Sequence, residues 1–190
     1  MKMLGIAVWG LGRHARNRIL PILSSMNQLK LVGVCSRTEE LVTECAQKWG
    51  CDGWTSPNDM LDNPDVDIVY IATPIGVHFK LAVQALHAGK HVWCEKPLTC
   101  DYEDAKSLIH LAKQKHLMLT ETFMYLHHPQ FFKVQNFVND CEAGQVHSVT
   151  CRFGIPILEN PGFRLNPKLC GGALWDVASY TVSAEITLFP

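Results

Sequence analysis

The stretch Gly5-Ile6-Ala7-Val8-Trp9-Gly10-Leu11-Gly12-Arg13-His14-Ala15 decides the fold. Gly5 to Trp9 reads as a first strand, and a helical pattern follows from about Gly12 to Ser25. A Gly-x-Gly-x-x-Ala turn carries most meaning in that setting, between a strand and a helix. Gly10 permits the tight turn, Gly12 lets the backbone approach a pyrophosphate, and Ala15 lets helix and strand pack closely. Phosphates would then meet the free N–H groups and the positive end of the helix dipole. The plainer reading of these residues is an ordinary glycine turn.

Outward from this turn, apolar runs alternate with helical patterns. Strands are expected at Leu31 to Cys35, around Trp54, at Val66 to Ala72, at His91 to Cys94 and at Leu117 to Thr122. Helices are expected at Thr38 to Trp49 with Thr38 as N-cap, at Pro57 to Leu61, at His78 to Ala88 with Gly89 as its stop, and at Asp101 to His116 capped by Asp101. The β-branched run Val66 to Ala72 has the character of a strand buried on both faces. The alternation predicts an α/β fold with a doubly wound parallel sheet. After Phe123 the pattern changes to a helix at Pro129 to Cys141, a strand at Val146 to Phe153, a loop at Ile155 to Cys170 and a helix from Gly172 to about Leu188. A single strand lacks sheet partners. The expected organisation is a dinucleotide-binding domain over residues 1–123 and part of a second domain over 124–190.

Composition narrows the function classes. The 190 residues are 47% hydrophobic and 18% charged, with a formal net charge of −1, which is globular composition. There is no basic footprint for nucleic acid or anionic membrane, and neither is an expected partner. Lys2 and the apolar run after it resemble a short signal peptide, but no small-x-small cleavage site follows and Gly10 and Gly12 break the run. A cytoplasmic location is expected. None of the eight cysteines forms a Cys-x-x-Cys pair, and several lie in apolar runs, so reduced thiols and no metal are expected. His127 and His128 read as solvated or capping residues, because no third ligand has suitable spacing.

The candidate chemistry lies at strand ends. Strand two ends Cys35-Ser36-Arg37, without the carboxylate that usually binds an NAD ribose. Ser36 and Arg37 could instead receive a 2′-phosphate, which favours NADP; a solvated arginine is the plainer reading. Ala72-Thr73-Pro74 would line the nicotinamide ribose, and His78 is either part of that site or a structural histidine. Lys96, in Cys94-Glu95-Lys96-Pro97, falls just past strand five and faces the same crevice, where an amine could exchange a proton with a substrate oxygen. Pro97 keeps Lys96 extended, and adjacent extended residues point to opposite faces, so Glu95 and Lys96 are not expected to pair simply. Farther on, Asp176 and Tyr180 are spaced to share a helix face and could orient substrate hydroxyls.

Gly10-Leu11-Gly12, Ala72-Thr73-Pro74 with His78, Glu95-Lys96-Pro97 and Gly171-Gly172-Ala173 followed by Asp176 and Tyr180 together resemble the Gfo/Idh/MocA oxidoreductases. The resemblance implies an N-terminal Rossmann domain and a C-terminal α/β domain with an open sheet that covers the substrate and often mediates oligomerisation. It implies Lys96 as catalytic proton donor and acceptor, a cis bond before Pro97, and Asp176 and Tyr180 as the substrate-side pair. Gly10, Leu11, Gly12, Arg13, His14, Ser36, Arg37, Ala72, Thr73, Pro74, His78, Glu95 and Lys96 are the expected cofactor contacts. Many members carry Asp-x-Gly-x-His where this chain has Ala178 and Tyr180. The tyrosine form is similar to the dihydrodiol dehydrogenase, glucose–fructose oxidoreductase and sugar ketoreductase branches. Members also run well beyond 300 residues, so a truncated second domain is expected. The leading expectation is an NADP-dependent dehydrogenase or reductase acting on a sugar, polyol or cyclic diol, homo-oligomeric at full length. The alternatives are a non-catalytic NAD(P)-binding sensor or regulatory protein, and an inactive fragment of the enzyme.

Overall fold

Alternating side chains of the β-strands bury one set of residues on each face of the sheet, and helices cover both. The computed structural model describes residues 3–140, 144–156 and 159–189. It divides into two units, Met1–Glu121 and Thr122–Pro190. In the first, β1 (Leu4–Trp9), β2 (Leu29–Cys35), β3 (Asp52–Trp54), β4 (Ile68–Ile71), β5 (His91–Cys94) and β6 (Leu119–Glu121) form one sheet in the order β3-β2-β1-β4-β5-β6. Every pairing is parallel. This is the expected Rossmann-type sheet, with its strand order reversing between β1 and β4, where such sheets open a ligand crevice.

The period of two is visible in the core. Ile6 and Val8 of β1 and Ile68 and Tyr70 of β4 pack with Leu20 and Leu23 of α1 (Leu20–Ser25) and Val42 and Cys45 of α2 (Glu39–Trp49). Ala7, Trp9, Val69 and Ile71 face the other way. They meet Met60 and Leu61 of α3 (Pro57–Asp62), Ala82, Ala85 and Leu86 of α4 (His78–His87), and Leu108 and Ala112 of α5 (Tyr102–Gln114). A β1 residue is thus determined by its parity: even positions bind the α1 and α2 side, odd positions the α3 to α5 side.

Local signals account for most element ends. Asp101 caps α5 by accepting the N–H groups of Glu103 and Asp104. Gly89 follows α4 at φ 75°, a left-handed stop. Thr38 stands at the N-cap of α2 as expected, but its side chain makes no capping bond; its own N–H donates to Ser36 Oγ instead. The helix after the glycine turn opens through a π-turn at Ala15–Ile19 before α1.

The second unit contains α6 (Pro129–Asn139), a loop with short 3-10 turns, a π-turn at Leu174–Ala178 and α7 (Ser179–Leu188). His128 caps α6 by accepting the Gln130 N–H, in line with the capping role expected for it. The strand expected at Val146 to Phe153 is not formed. Among the described residues this unit has no strand to pair with it, so its backbone groups gain nothing from extension there, and Val146, Val149 and Phe153 are exposed. Lys2, Cys141 and positions 157–158 of the expected loop lie outside the described residues. Reduced thiols are found at Cys35, Cys45, Cys51, Cys94 and Cys151, whereas Cys100 and Cys170 depart from the expectation by being disulfide-bonded. Burial, with Asp59 adding to it, pushes the Cys35 thiol up to about 12, so it packs as a small hydrophobe. Among the described residues no helix is long and apolar enough to cross a membrane, and no cluster of His, Cys, Asp and Glu could hold a metal.

Leu86 has no exposed surface and joins α4 to the sheet. Leu86→Ala is expected to lower unfolding free energy by about 2–5 kcal/mol, because the site cannot collapse around the lost atoms. Urea denaturation followed by circular dichroism would measure it.

Candidate active site

The carboxyl end of β1 turns at Gly10, whose φ of 109° excludes most side chains. A Cβ there would meet the Ala72 carbonyl oxygen at 2.7 Å and Thr73 Cγ2 at 2.8 Å. The turn is held by Gly10 N–H donating to Cys35 O at 2.9 Å and Ala72 N–H donating to Trp9 O at 2.8 Å. The ends of β2, β1 and β4 are thereby locked together, and Gly10, Ala72 and Thr73 come into one place. At Gly12 a Cβ would meet nothing within 4 Å, so the backbone is open to an approaching group. Helical bonding begins only with Arg16 N–H to Gly12 O, leaving earlier N–H groups at the helix start for an anion. Thr73 Oγ1 is buried and has no hydrogen-bond partner. An open glycine backbone, a helix N-terminus and an unsatisfied buried hydroxyl on one crevice fit a dinucleotide. Leu11 is buried beneath the turn, while Arg13 and His14 are exposed on it. Ser36 and the exposed Arg37 follow β2, next to the Gly10–Cys35 bond, with no carboxylate between them.

Past β5, three residues of the run Glu95 to Leu98 are fastened to different parts of the fold. Glu95 N–H donates to Ile71 O at 2.9 Å. The Glu95 carboxylate accepts the Tyr70 hydroxyl at 2.7 Å and meets His14 Nε2 at 3.2 Å, both on Oε1. Burial pushes this carboxyl up, but the bonds from His14 and Tyr70, with the charges of His14 and Lys96, outweigh it and hold the group below the usual carboxylate range. The Lys96–Pro97 peptide is cis. Pro97 O lies 2.9 Å from His78 Nδ1, and His78 Nε2 lies 2.9 Å from Thr73 O. Leu98 N–H donates to Glu121 Oε1 at 2.7 Å. Lys96 is half-buried within this tethered run, and its charge is felt by Glu95, His78 and Glu121.

His78 is fully buried, with a carbonyl oxygen at each ring nitrogen. Two acceptors favour the imidazolium, which alone donates from both nitrogens. Burial acts the other way and dominates, so the ring is held below the usual histidine range. A neutral ring donates from one nitrogen, so His78 bonds one of the two carbonyls and lies against the other, between Thr73 and the Lys96 loop. Both ring nitrogens face backbone carbonyls, an arrangement that suits the structural reading of this histidine.

In the second unit Asp176 and Tyr180 lie one turn apart on a continuous helical stretch. Asp176 accepts from Arg164 Nε at 2.7 Å. The Tyr180 ring stacks on Phe153 at 4.8 Å and meets Phe123 edge-on at 5.5 Å. Tyr70, Glu121 and Arg164 were not legible as site residues. Their signal is positional: Glu121 closes β6 level with Cys94, so it ends beside the Lys96 loop.

A parallel sheet with a glycine-lined crevice at its switch point defines a dinucleotide-binding protein. Residues 4–123 match the Gfo/Idh/MocA model, described as an oxidoreductase family with an NAD-binding Rossmann fold. The chain belongs to that family. It is 34% identical over 183 residues to dTDP-3,4-didehydro-2,6-dideoxy-alpha-D-glucose 3-reductase of Saccharopolyspora spinosa, covering 96% of this chain and 55% of that protein. A 3-ketoreductase from Actinomadura kijaniata, solved with NADP and TDP-benzene, superimposes with a TM-score of 0.93 at 31% identity, covering 98% of this chain and 58% of that one. A protein of gentamicin A biosynthesis, solved with NAD, gives a TM-score of 0.90 at 29% identity over 99% of this chain and 54% of that one. The chain therefore spans little more than half the length of these relatives.

Because Glu95 ionises more readily folded than unfolded, its contribution to stability is present above the ordinary value of 4.5 and is lost as pH falls through the lower folded value. The stability gap between the protein and its Glu95→Gln variant should therefore shrink as pH is lowered from 6 toward 3. Urea unfolding across that range measures it, and a gap independent of pH would contradict the assignment.

Proposed function

We propose that the chain carries the dinucleotide-binding domain, residues 1–123, and part of the substrate domain, residues 124–190, of an NADP-dependent oxidoreductase acting on a secondary alcohol or carbonyl of a sugar or polyol. The observation that carries the reading is the placement of Lys96. It lies in a tethered loop at the carboxyl edge of the sheet, two strands from the Gly10–Gly12 turn. When bound, the nicotinamide supplies or accepts the hydride. Lys96 gives a proton to the carbonyl oxygen in reduction, becoming an amine, and removes it from the hydroxyl in oxidation.

Gly10 and Gly12 admit the pyrophosphate, with Leu11, Arg13 and His14 around it. Ala72, Thr73 and Pro74 line the nicotinamide side, where Thr73 Oγ1 gains the partner it lacks in the chain itself. His78 and Glu95 act by holding the loop. Ser36 and Arg37 receive the 2′-phosphate; the missing carboxylate after β2 and the NADP-bound ketoreductase support this choice, while the NAD-bound neighbour shows that the fold also accepts the other cofactor. Asp176, steadied by Arg164, and Tyr180 are the substrate-side pair. The reductase and ketoreductase relatives support a sugar as substrate.

Lys96→Met should leave NADP affinity within a few-fold of wild type and lower turnover by about 10²–10⁴-fold, the range for losing a positioned acid or base. Initial rates with NADP and D-xylose, D-glucose or myo-inositol test this. Retained turnover in the variant would defeat the lysine assignment, and NADP binding without turnover of any sugar or polyol by wild type would defeat the enzyme reading.

Arg37→Gln should weaken NADP binding by roughly 10–100-fold and leave NAD binding unchanged, since bonds to a charged phosphate are worth about 1.5–3 kcal/mol. Fluorescence titration with both nucleotides distinguishes a phosphate contact from a solvated arginine, which would change neither.

A further inference from the structure

We propose that His14 is a positioning residue for the Lys96 loop: its imidazole latches the glycine turn to the Glu95 carboxylate rather than serving as a ligand for the cofactor phosphates. The kinetic part of the inference rests on Lys96 as the proton carrier; the latch itself does not. Three observations support it. His14 Nε2 lies 3.2 Å from Glu95 Oε1. The same oxygen accepts the Tyr70 hydroxyl at 2.7 Å, so one group from β4 and one from the turn after β1 converge on it. Glu95 N–H donates to Ile71 O at 2.9 Å, which fixes the backbone immediately before Lys96.

The sheet order shows what such a latch connects. β4 lies between β1 and β5, so the turn after β1 and the loop after β5 are two strands apart. The Gly10 N–H is bonded toward the opposite side, to Cys35 O of β2. Among the described residues of the run Gly10 to Ala15, His14 alone has a side-chain polar contact, and that contact is with the lysine loop. An ion pair between two exposed side chains contributes little. Here the Glu95 side chain is only 14% exposed and is already held by the buried Tyr70, so little further ordering is needed on that side. Either a neutral ring carrying its proton on Nε2 or the imidazolium donates to this carboxylate. A phosphate would have to compete for the same nitrogen. The open backbone at Gly12 and the N–H groups of the first helical turn already offer an anion its cradle.

Because the His14 side chain is exposed, His14→Ala should fold normally. Hydrogen exchange without cofactor should show the Glu95 and Leu98 amides opening about tenfold faster, the low end for losing a bond to a charged group. The amides of β1 should keep their wild-type rates. NADP, titrated by fluorescence, should bind within about threefold of wild type, while kcat falls about tenfold as the lysine loses its fixed position. Rates would be taken with NADP and whichever of D-xylose, D-glucose and myo-inositol the wild type oxidises fastest. His14→Gln, whose amide nitrogen donates in place of Nε2, should bring exchange and kcat back to within about threefold of wild type. Unchanged exchange in His14→Ala would overturn the inference; if NADP binding weakened at the same time, the side chain would be a phosphate ligand instead. Fast exchange that His14→Gln fails to restore would also overturn it, by pointing to the ring's bulk rather than its bond. Normal turnover in Lys96→Met would remove the reading under the kinetic part and leave the exchange result to decide the latch.

Discussion

Three of the four residues Glu95 to Leu98 after β5 are tied to different parts of the fold, and the proposed chemistry depends on that fastening. The Glu95 amide is bonded to the end of β4 and its carboxylate to Tyr70 and His14; Pro97 O is held by His78, and the Leu98 amide by Glu121. A loop held only at its two ends could swing a lysine through many positions. Here Lys96 has a tethered residue before it and two after it. Holding a reacting group in one geometry removes orientational entropy from the barrier, which is where an enzyme gains much of its rate.

The tethers also connect the two halves of the first unit. His14 belongs to the glycine turn, so its contact with Glu95 links the start of the first helix to the lysine loop. His78 lies between the same loop and Thr73, whose neighbour Ala72 packs against Gly10. The crevice at the switch point is therefore one connected structure. Its charges are unequal in cost: Glu95 is ionised because donors surround it, Glu121 is disfavoured by burial, and His78 stays neutral despite two carbonyl neighbours. One buried and two half-buried titratable groups with shifted ionisation, all within one loop's reach, are the kind of perturbation that marks functional sites.

Much of the fold was legible in the sequence because its causes are local. Parity in β1, β-branched residues in β4, Asp101 before α5 and Gly89 after α4 each act within a few residues of themselves. The nucleotide turn was legible for the same reason, since Gly10 and Gly12 announce a backbone demand that other residues cannot meet. The tethers were not. Tyr70 reads as a core residue of β4, Glu121 as the polar end of a short strand, and Arg164 as a loop cation; each gains its role only from the register of neighbouring strands or from a turn that brings distant residues together. The strand expected at Val146 to Phe153 failed for the converse reason. Its residues suit a strand, but a strand exists only by pairing, and none is available to it among the described residues of the second unit.

We propose that the fastened loop presents the Lys96 amine to a nicotinamide seated from the Gly10–Gly12 turn. The most direct measurement is a crystal structure of the protein with NADP bound. The pyrophosphate is expected over Gly12 and the first turn of the helix, with Lys96 Nζ in van der Waals reach of the pyridine ring. An amine nitrogen turned to bulk water, with the ring lodged elsewhere, would contradict it.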